Sequence, residues 1–299
     1  MPMPDAGRTQ VPEDTGDDLG FDAPDDSAAA FATTGKPIRS LLRLPTALVK
    51  EAKLNVDPDG LSITAVDPAN VGMIDLTVHA DGFSGFQVNR DVTVGVNFDT
   101  LTSALSFARM PDDDPVRIDI LDPRGDVPRM RVAVIRPDQQ MKRVTVFSLI
   151  DPDAVRDEPD VPGIDLPFRA TPGIDALNDA VKSLTDGHDH AGVAIDGSAL
   201  VVGSTMSRDV QLADSDSDDR ADTAVFPNAA WIEGAEDGDG QGSLFSLDYL
   251  RDMTKGLKRS KMDRVTLKFG IEYPTMLQFN HADWNASGQF LLAPRIQSE

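Results

Sequence analysis

The strongest constraint on this chain is a pattern that occurs twice. Leu101 and Leu105, spaced as on one helix face, precede the alternating run Val116, Ile118 and Ile120. Met253 and Leu257 precede Val265, Leu267 and Phe269 in the same way, with a loop shorter by three residues. A period of about 3.6 giving way to a period of 2 marks a helix that feeds a strand, so its recurrence predicts two similar halves. Helical spacing is found in four short stretches, Pro37–Leu44, Asp99–Arg109, Pro172–Thr185 and Leu247–Arg259. Strand-like runs are more numerous: Glu51–Val56, Leu61–Val66, Val116–Ile120, Met130–Ile135, Val144–Ile150, Gly192–Ile195, Val265–Phe269 and Phe290–Leu292. Asp57-Pro58-Asp59-Gly60 between the first two is a β-turn sequence. The fold class expected is α+β.

Ile150–Pro167, rich in Asp and Pro, reads as an extended connector between the halves. Residues 1–30 carry eight acids and one base with no hydrophobic period, the pattern of a disordered tail. The expected division is therefore a tail at 1–30, a first half at 31–149, a connector at 150–167 and a second half at 168–299.

Charge narrows the setting. The 299 residues include 50 acids against 28 bases, 43 of the acids being Asp, and the formal net charge is −22. A surface so negative repels itself in dilute buffer and is tolerable where salt screens it, which points to a high-salt cytoplasm. No apolar run approaches the roughly 18 residues that span a bilayer, and the start of the chain has no apolar secretion segment. Zero Cys excludes disulfides, thiolate zinc sites and a Cys nucleophile.

The positive charge is concentrated. Segment 36–53 holds Lys36, Arg39, Arg43, Lys50 and Lys53 against Glu51; segment 251–268 holds Arg251, Lys255, Lys258, Arg259, Lys261, Arg264 and Lys268 against Asp252 and Asp263. At about 100° per residue, Leu250, Met253 and Leu257 share one helix face, with Arg251, Lys255, Lys258 and Arg259 opposite. Ile38, Leu41 and Leu42 oppose Lys36, Arg39 and Arg43 likewise. A solvated helix face is the ordinary meaning of such charge. Against so acidic a background the two basic faces instead suit a phosphate backbone, bound by long-range attraction and counterion release. Without interleaved aromatics, base stacking is not expected.

Other chemistry finds little support. Asp214-Ser215-Asp216-Ser217-Asp218-Asp219 starts like a calcium loop but has Asp219 where Gly is required and Val225 where Glu is required. His188-Asp189-His190 has no second ligand cluster. Gly238, Gly240 and Gly242 lie among acids that would repel a phosphate. Trp231 and Trp284 are single aromatics of the kind that fill cores. No catalytic group, metal site or cofactor is expected, and a metal-dependent nuclease built on Asp clusters lacks the accompanying base.

Four segments carry a family resemblance. Residues Leu61–Leu76 (LSITAVDPANVGMIDL), Ser148–Pro162 (SLIDPDAVRDEPDVP), Ser243–Met253 (SLFSLDYLRDM) and Leu291–Glu299 (LLAPRIQSE) occur in the order and spacing of the archaeal and eukaryotic sliding clamps. The chain thus resembles the proliferating cell nuclear antigen family over about residues 31–299, in a haloarchaeal or haloarchaeal-virus form. The resemblance implies a DNA-clamp fold: two similar domains, antiparallel sheets outside and four helices inside, with three subunits closing head-to-tail around duplex DNA. Such a clamp holds phosphates without reading bases and tethers a polymerase by raising its effective concentration at DNA. It would work in the cytoplasm, or in a host's cytoplasm if viral. An alternative within the resemblance is a divergent clamp paralogue, acting as a regulator or as one subunit of a heteromeric ring.

The resemblance also implies sites. The DNA-facing cations would be Lys36, Arg39, Arg43, Arg109, Lys182, Arg251, Lys255, Lys258 and Arg259. Polymerase, clamp loader, ligase and nuclease would dock short peptides against Val66, Asn70, Val71 and Met73 on one side and Pro274, Leu291, Ala293, Pro294 and Ile296 on the other. Val155, Val161 and Ile164 would join from the connector. Three departures from the family pattern stand out. The stretch Pro172–Thr185 offers Lys182 against Asp175 and Asp179, and Asp99–Arg109 offers Arg109 alone, so DNA contact is expected to rest on two helices, with solvent cations offsetting the remaining acids. Pro45 should shorten the first inner helix. The tail 1–30 and loop 209–222 have no family counterpart.

Overall fold

The computed structural model describes residues 27–109, 113–121, 127–157, 160, 163–184, 189–196, 199–204, 222–227, 241–262 and 264–295. Among these, seventeen strands and four α-helices form three antiparallel sheets. A five-stranded sheet runs β5 (Gly85–Val88), β1 (Ser27–Thr34), β7 (Pro115–Leu121), β8 (Arg129–Arg136), β9 (Met141–Ser148). An eight-stranded sheet runs β10 (Phe168–Ala170), β15 (Thr266–Phe269), β16 (Thr275–His281), β17 (Ala286–Leu292), β4 (Gly72–His79), β3 (Gly60–Val66), β2 (Glu51–Asp57), β6 (Val92–Asn97). A four-stranded sheet runs β13 (Thr223–Phe226), β12 (Ala199–Gly203), β11 (His190–Asp196), β14 (Gln241–Ser246). The helices are α1 (Gly35–Leu41), α2 (Phe98–Ala104), α3 (Ile174–Ser183) and α4 (Leu247–Arg259).

The repeated sequence pattern has a structural counterpart. Leaving aside β5, the order β1–α1–β2–β3–β4–β6–α2–β7–β8–β9 recurs as β10–α3–β11–β12–β13–β14–α4–β15–β16–β17. Pairing follows the same rule: the block β1-β7-β8-β9 corresponds to β10-β15-β16-β17, and β6-β2-β3-β4 to β14-β11-β12-β13. The eight-stranded sheet joins one block from each half, where β17 runs antiparallel to β4 with Leu291 opposite Met73 and Phe290 opposite Ile74.

Local sequence explains most elements. In β2 the side chains of Ala52, Leu54 and Val56 are buried and alternate with more exposed ones, the period-2 pattern of a sheet with one face on a core. Asp57 closes the hairpin to β3, its Oδ1 accepting from the amides of Asp59 (2.8 Å) and Gly60 (3.2 Å). In α4, Leu250, Met253 and Leu257 are buried together. α1 ends at Leu41, and Pro45 opens a separate 3-10 turn, Pro45–Ala47, as its missing N–H requires. Asp99–Arg109, expected as one helix, is α2 followed by the 3-10 turn Leu105–Phe107.

The start of the fold corrects the tail boundary. Residues 27–30, assigned to the tail by composition, are buried in β1, which pairs with both β5 and β7. Three of them are Ala, too small to register as a hydrophobic run, yet small side chains are what a strand enclosed on both faces accommodates.

Candidate nucleic-acid interface and partner pocket

Two basic segments far apart in sequence meet in space. The Pro45–Ala47 turn packs on α4, and at Gly256 a Cβ would stand 3.1 Å from the Arg43 carbonyl and 3.4 Å from the Ala47 Cβ. A glycine here lets the backbones approach. The Arg43 guanidinium donates to the Arg259 carbonyl at 2.6 Å, and Arg39 donates to the Ala108 carbonyl at 2.7 Å. Burial, then the charges of Arg259 and Arg39, hold the Arg43 pKa below its ordinary value. A cleft of about 160 Å³ lies between Arg43, Lys255 and Arg259. Lys255, Arg259 and, on α3, Lys182 are exposed and form no ion pair with a described residue. This arrangement concentrates charge that a bound polyanion would relieve.

Three other expected cations have partners within the chain. Arg109 lies after the second helix and clamps Asp114 and Asp138, both at 2.7 Å. Arg251 pairs with Asp248 at 2.9 Å and donates to the Leu184 carbonyl at 3.2 Å. Lys258 reaches across to α3, to Asp175 at 3.3 Å and Asp179 at 3.0 Å. Lys258 of α4 thus supplies one cation to the two acids of α3. A carboxylate within hydrogen-bond reach satisfies a cation that spacing alone marks as available.

The Arg109 clamp makes acid stability predictable. Hydrogen bonds from Arg109 hold the Asp114 carboxyl, and likewise Asp138, below the ordinary carboxylate pKa. Their stabilisation is present above the unfolded pKa of about 3.9 and lost as pH falls through the lower folded values. The contribution of these two carboxylates to thermal stability should therefore be constant above about pH 5 and fall below about pH 4; Arg109→Gln should melt lower at neutral pH and show a shallower acid limb, because the stabilisation that acid removes is already gone. An acid limb unmoved by the substitution would contradict the assignment.

The connector crosses the eight-stranded sheet. It leaves at Ile150, whose backbone exchanges hydrogen bonds with Gly95 of β6 at 2.9 and 2.8 Å. Val155 packs over the same residue, 2.5 Å from where a Cβ on Gly95 would lie; only glycine leaves this space. Val155 is therefore anchored at the β6 edge of the sheet. Further along, Ile164 and Leu166 join Val66, Met73, Met276 and Leu291 in an apolar cluster separate from the main core. Sequence reasoning missed Leu166 and Met276, though Met276 is the register partner of Leu291. Val71 packs against the main core instead, while its carbonyl accepts from the Ala293 amide at 2.8 Å. Pro274, Ala293 and Pro294 are half-buried.

Asp67 organises the turn between β3 and β4. It is 2 % exposed, and its carboxylate accepts from the amides of Val71 and Gly72 (both 2.7 Å) and Ala69 (2.8 Å) and from the Tyr249 hydroxyl of α4. Burial alone would raise its pKa; the bonds from Tyr249 and the three amides outweigh this and hold it below the ordinary value. The same contact pushes Tyr249 up to about 12. Arg156 of the connector donates to the Asp67 carbonyl at 2.8 Å and to the Asn70 side chain. Asn70, in the left-handed region at φ 60°, thus ties turn to connector. One carboxylate joins α4 to the turn between β3 and β4.

Val161, Ile296, His188, Trp231 and the 214–219 loop lie outside the described residues. Among the described residues no His, Asp and Glu group is arranged to hold a metal, and no helix is long and apolar enough to cross a membrane.

Comparison with known proteins gives this geometry its context. Residues 33–149 match the model of the proliferating cell nuclear antigen N-terminal domain. A DNA polymerase sliding clamp of Natronomonas pharaonis is 32 % identical over 255 residues, covering 84 % of this chain and 92 % of that protein. The sliding clamp of Halobacterium salinarum is 34 % identical over 253 residues, with coverage of 84 % and 92 %. In fold, the chain matches the PCNA of A. fulgidus, solved with the C-terminal region of FEN-1 bound, with a TM-score of 0.73 at 24 % identity, covering 91 % of this chain and 100 % of that one. A PCNA2–PCNA3 complex from Sulfolobus tokodaii matches with a TM-score of 0.70 at 21 % identity, covering 89 % and 99 %. By sequence and by fold, this chain belongs to the DNA polymerase sliding clamp family and carries that family's sliding-clamp function.

Proposed function

We propose that three copies of this chain close head-to-tail around duplex DNA, holding it without sequence preference and without chemistry of their own. The observation that carries this reading is the join between β17 and β4. In the internal correspondence β17 matches β9 and β4 matches β13, so the contact that unites the halves within a chain has an unused counterpart between chains. Both counterparts are sheet edges. On β9, Met141, Val144 and Val146 are 49, 48 and 49 % exposed, and on β13 Val225 is 40 % exposed. Exposed apolar edges are templates for pairing, and pairing two different edges is a heterologous contact that forms a ring when its rotation closes.

Within that ring, Lys36, Arg39, Arg43, Lys182, Lys255 and Arg259 are the proposed phosphate contacts. Arg109, Arg251 and Lys258 are left out because intramolecular partners hold them. The proposed peptide site is the apolar cluster of Val66, Met73, Met276 and Leu291, with Pro274, Ala293 and Pro294 at its margin and Ile164 and Leu166 as the displaceable cover. It would serve polymerase, clamp loader, ligase and nuclease, in keeping with the FEN-1 segment bound to the A. fulgidus protein. The setting is a high-salt cytoplasm, and the domains divide near residues 150 and 168.

The test is polymerase stimulation on primed circular DNA, with retention of the protein on that DNA measured alongside. Lys255→Glu/Arg259→Glu should lose both, whereas Arg109→Gln should keep both. Equal losses would overturn the assignment of the basic face. A wild-type protein that stimulates only after a second clamp subunit is added would replace the homotrimer by a heteromeric ring.

A further inference from the structure

A cleft of about 500 Å³ opens beside Lys36, between the segment following α4 and the end of β16. Lys36, Lys261 and Arg264 line it, and Asp283 is the one acid among its described lining residues. None of the three cations forms an ion pair with a described residue, although acids outnumber bases 50 to 28 in this chain. Elsewhere, at Arg109 and Lys258, cations near acids are paired. Three cations with no ion-pair partner among the described residues, beside Asp283 alone, give the described lining a net positive charge.

Two further features point to a ligand. Lys261 adopts φ 61° at the end of α4, where its amide donates to the Lys258 carbonyl at 3.1 Å. Glycine is the residue suited to this left-handed position, so a lysine is held there against local backbone preference. On the cleft wall, the His281 ring stacks on the buried Trp284 ring at 3.7 Å and 9°. Its Nδ1 is buried without a hydrogen-bond partner among the described residues. Burial holds the imidazole pKa below its ordinary value, with Asp283 pulling it up and Lys36 pushing it down.

Lys36 also belongs to the basic side of α1. Lys36, Arg39 and Arg43 follow one another along one side of α1 and the turn after it, and Arg43 enters the second basic cleft with Lys255 and Arg259. Seven residues at helical rise put Lys36 and Arg43 roughly 10 Å apart, the axial rise of about three base pairs of duplex DNA. We infer that Lys36, Lys261 and Arg264 form a second phosphate cleft, which takes a backbone phosphodiester of the DNA held by the clamp. Two ammonium charges and a planar guanidinium line it, one from α1 and two from the segment after α4, suiting a phosphate with several acceptor oxygens. The inference rests on the DNA-encircling reading above and extends it to residues off the helices.

The experiment is duplex binding by fluorescence anisotropy across a potassium chloride series. Wild type is compared with Lys261→Gly/Arg264→Gln and with Lys255→Gln/Arg259→Gln. Removing one cation from a phosphate should reduce the slope of log affinity against log salt by about 0.9, so the cleft variant is expected to bind with a slope shallower by about 1–2. Lys261→Gly relieves the backbone, so its unfolding midpoint should not fall, and a melt distinguishes misfolding from weakened phosphate binding. An unchanged slope in the cleft variant beside a reduced slope in Lys255→Gln/Arg259→Gln overturns this inference alone. Absence of duplex binding by the wild type overturns the encircling reading and this inference together.

Discussion

Val144→Asp/Val146→Asp should convert the assembly to monomers. Both valines stand exposed on the outer edge of β9, and the internal correspondence makes that edge the partner of β13 on the next copy. Burying a valine contributes about 1.5–3 kcal/mol, and a carboxylate in its place adds a desolvation cost. Each interface should therefore weaken by roughly 4 kcal/mol, a factor of roughly a thousand. Light scattering at high salt should find wild type near three times the 32.2 kDa chain mass and the variant near one. Val127→Asp is the control: Val127 is 50 % exposed yet precedes β8 and belongs to neither edge strand. Equal dissociation of the control, or an intact trimer in the double variant, would sink the edge-pairing model.

The second large effect is expected at Asp67. Asp67→Ala removes the acceptor of three backbone amides and of the Tyr249 hydroxyl. Donors left unsatisfied in a buried turn should lower unfolding free energy by about 4 kcal/mol, measured by denaturant titration. Asp67→Asn keeps the oxygen facing Val71 and Gly72 and should lose less. Tyr249→Phe, which removes one bond to a charged acceptor, should cost about 2 kcal/mol. The functional readout is binding of a labelled clamp-binding peptide. Because the turn leads directly into Met73, affinity should fall most for Asp67→Ala, less for Asp67→Asn and least for Tyr249→Phe. Peptide binding that survives Asp67→Ala unchanged would show that the pocket rim does not depend on this turn.

The two predictions differ in how far the chain alone could have led to them. The 57–60 turn, the amphipathic face of α4 and the repeat of helix into strand are written in spacings of a few residues, and the structure follows them closely. β1 escaped notice because alanines carry little hydrophobic signal. β9 was read as an ordinary strand, since nothing local marks a sheet edge. Met276 and Leu166 joined the pocket cluster unforeseen, because membership there depends on register between β16 and β17 and on where the connector returns. Asp67 lay in plain view within a recognisable segment, but its role requires Tyr249, 182 residues away.

Charge shows the division most clearly. Composition and helical period, both properties of the chain itself, determined that this protein is salt-adapted, α+β, built of two similar halves and basic on two short faces. Which of those cations stay unpaired was decided by the fold. Arg109 is held by Asp138, 29 residues on, and Lys258 by Asp179, 79 residues back, while Lys36 of α1 meets Lys261 and Arg264 of the segment after α4 with no acid in pairing reach among the described residues. The physical reason is range: hydrophobic period acts between neighbours on one element, whereas an ion pair forms or fails within about 4 Å, a distance that only tertiary packing sets.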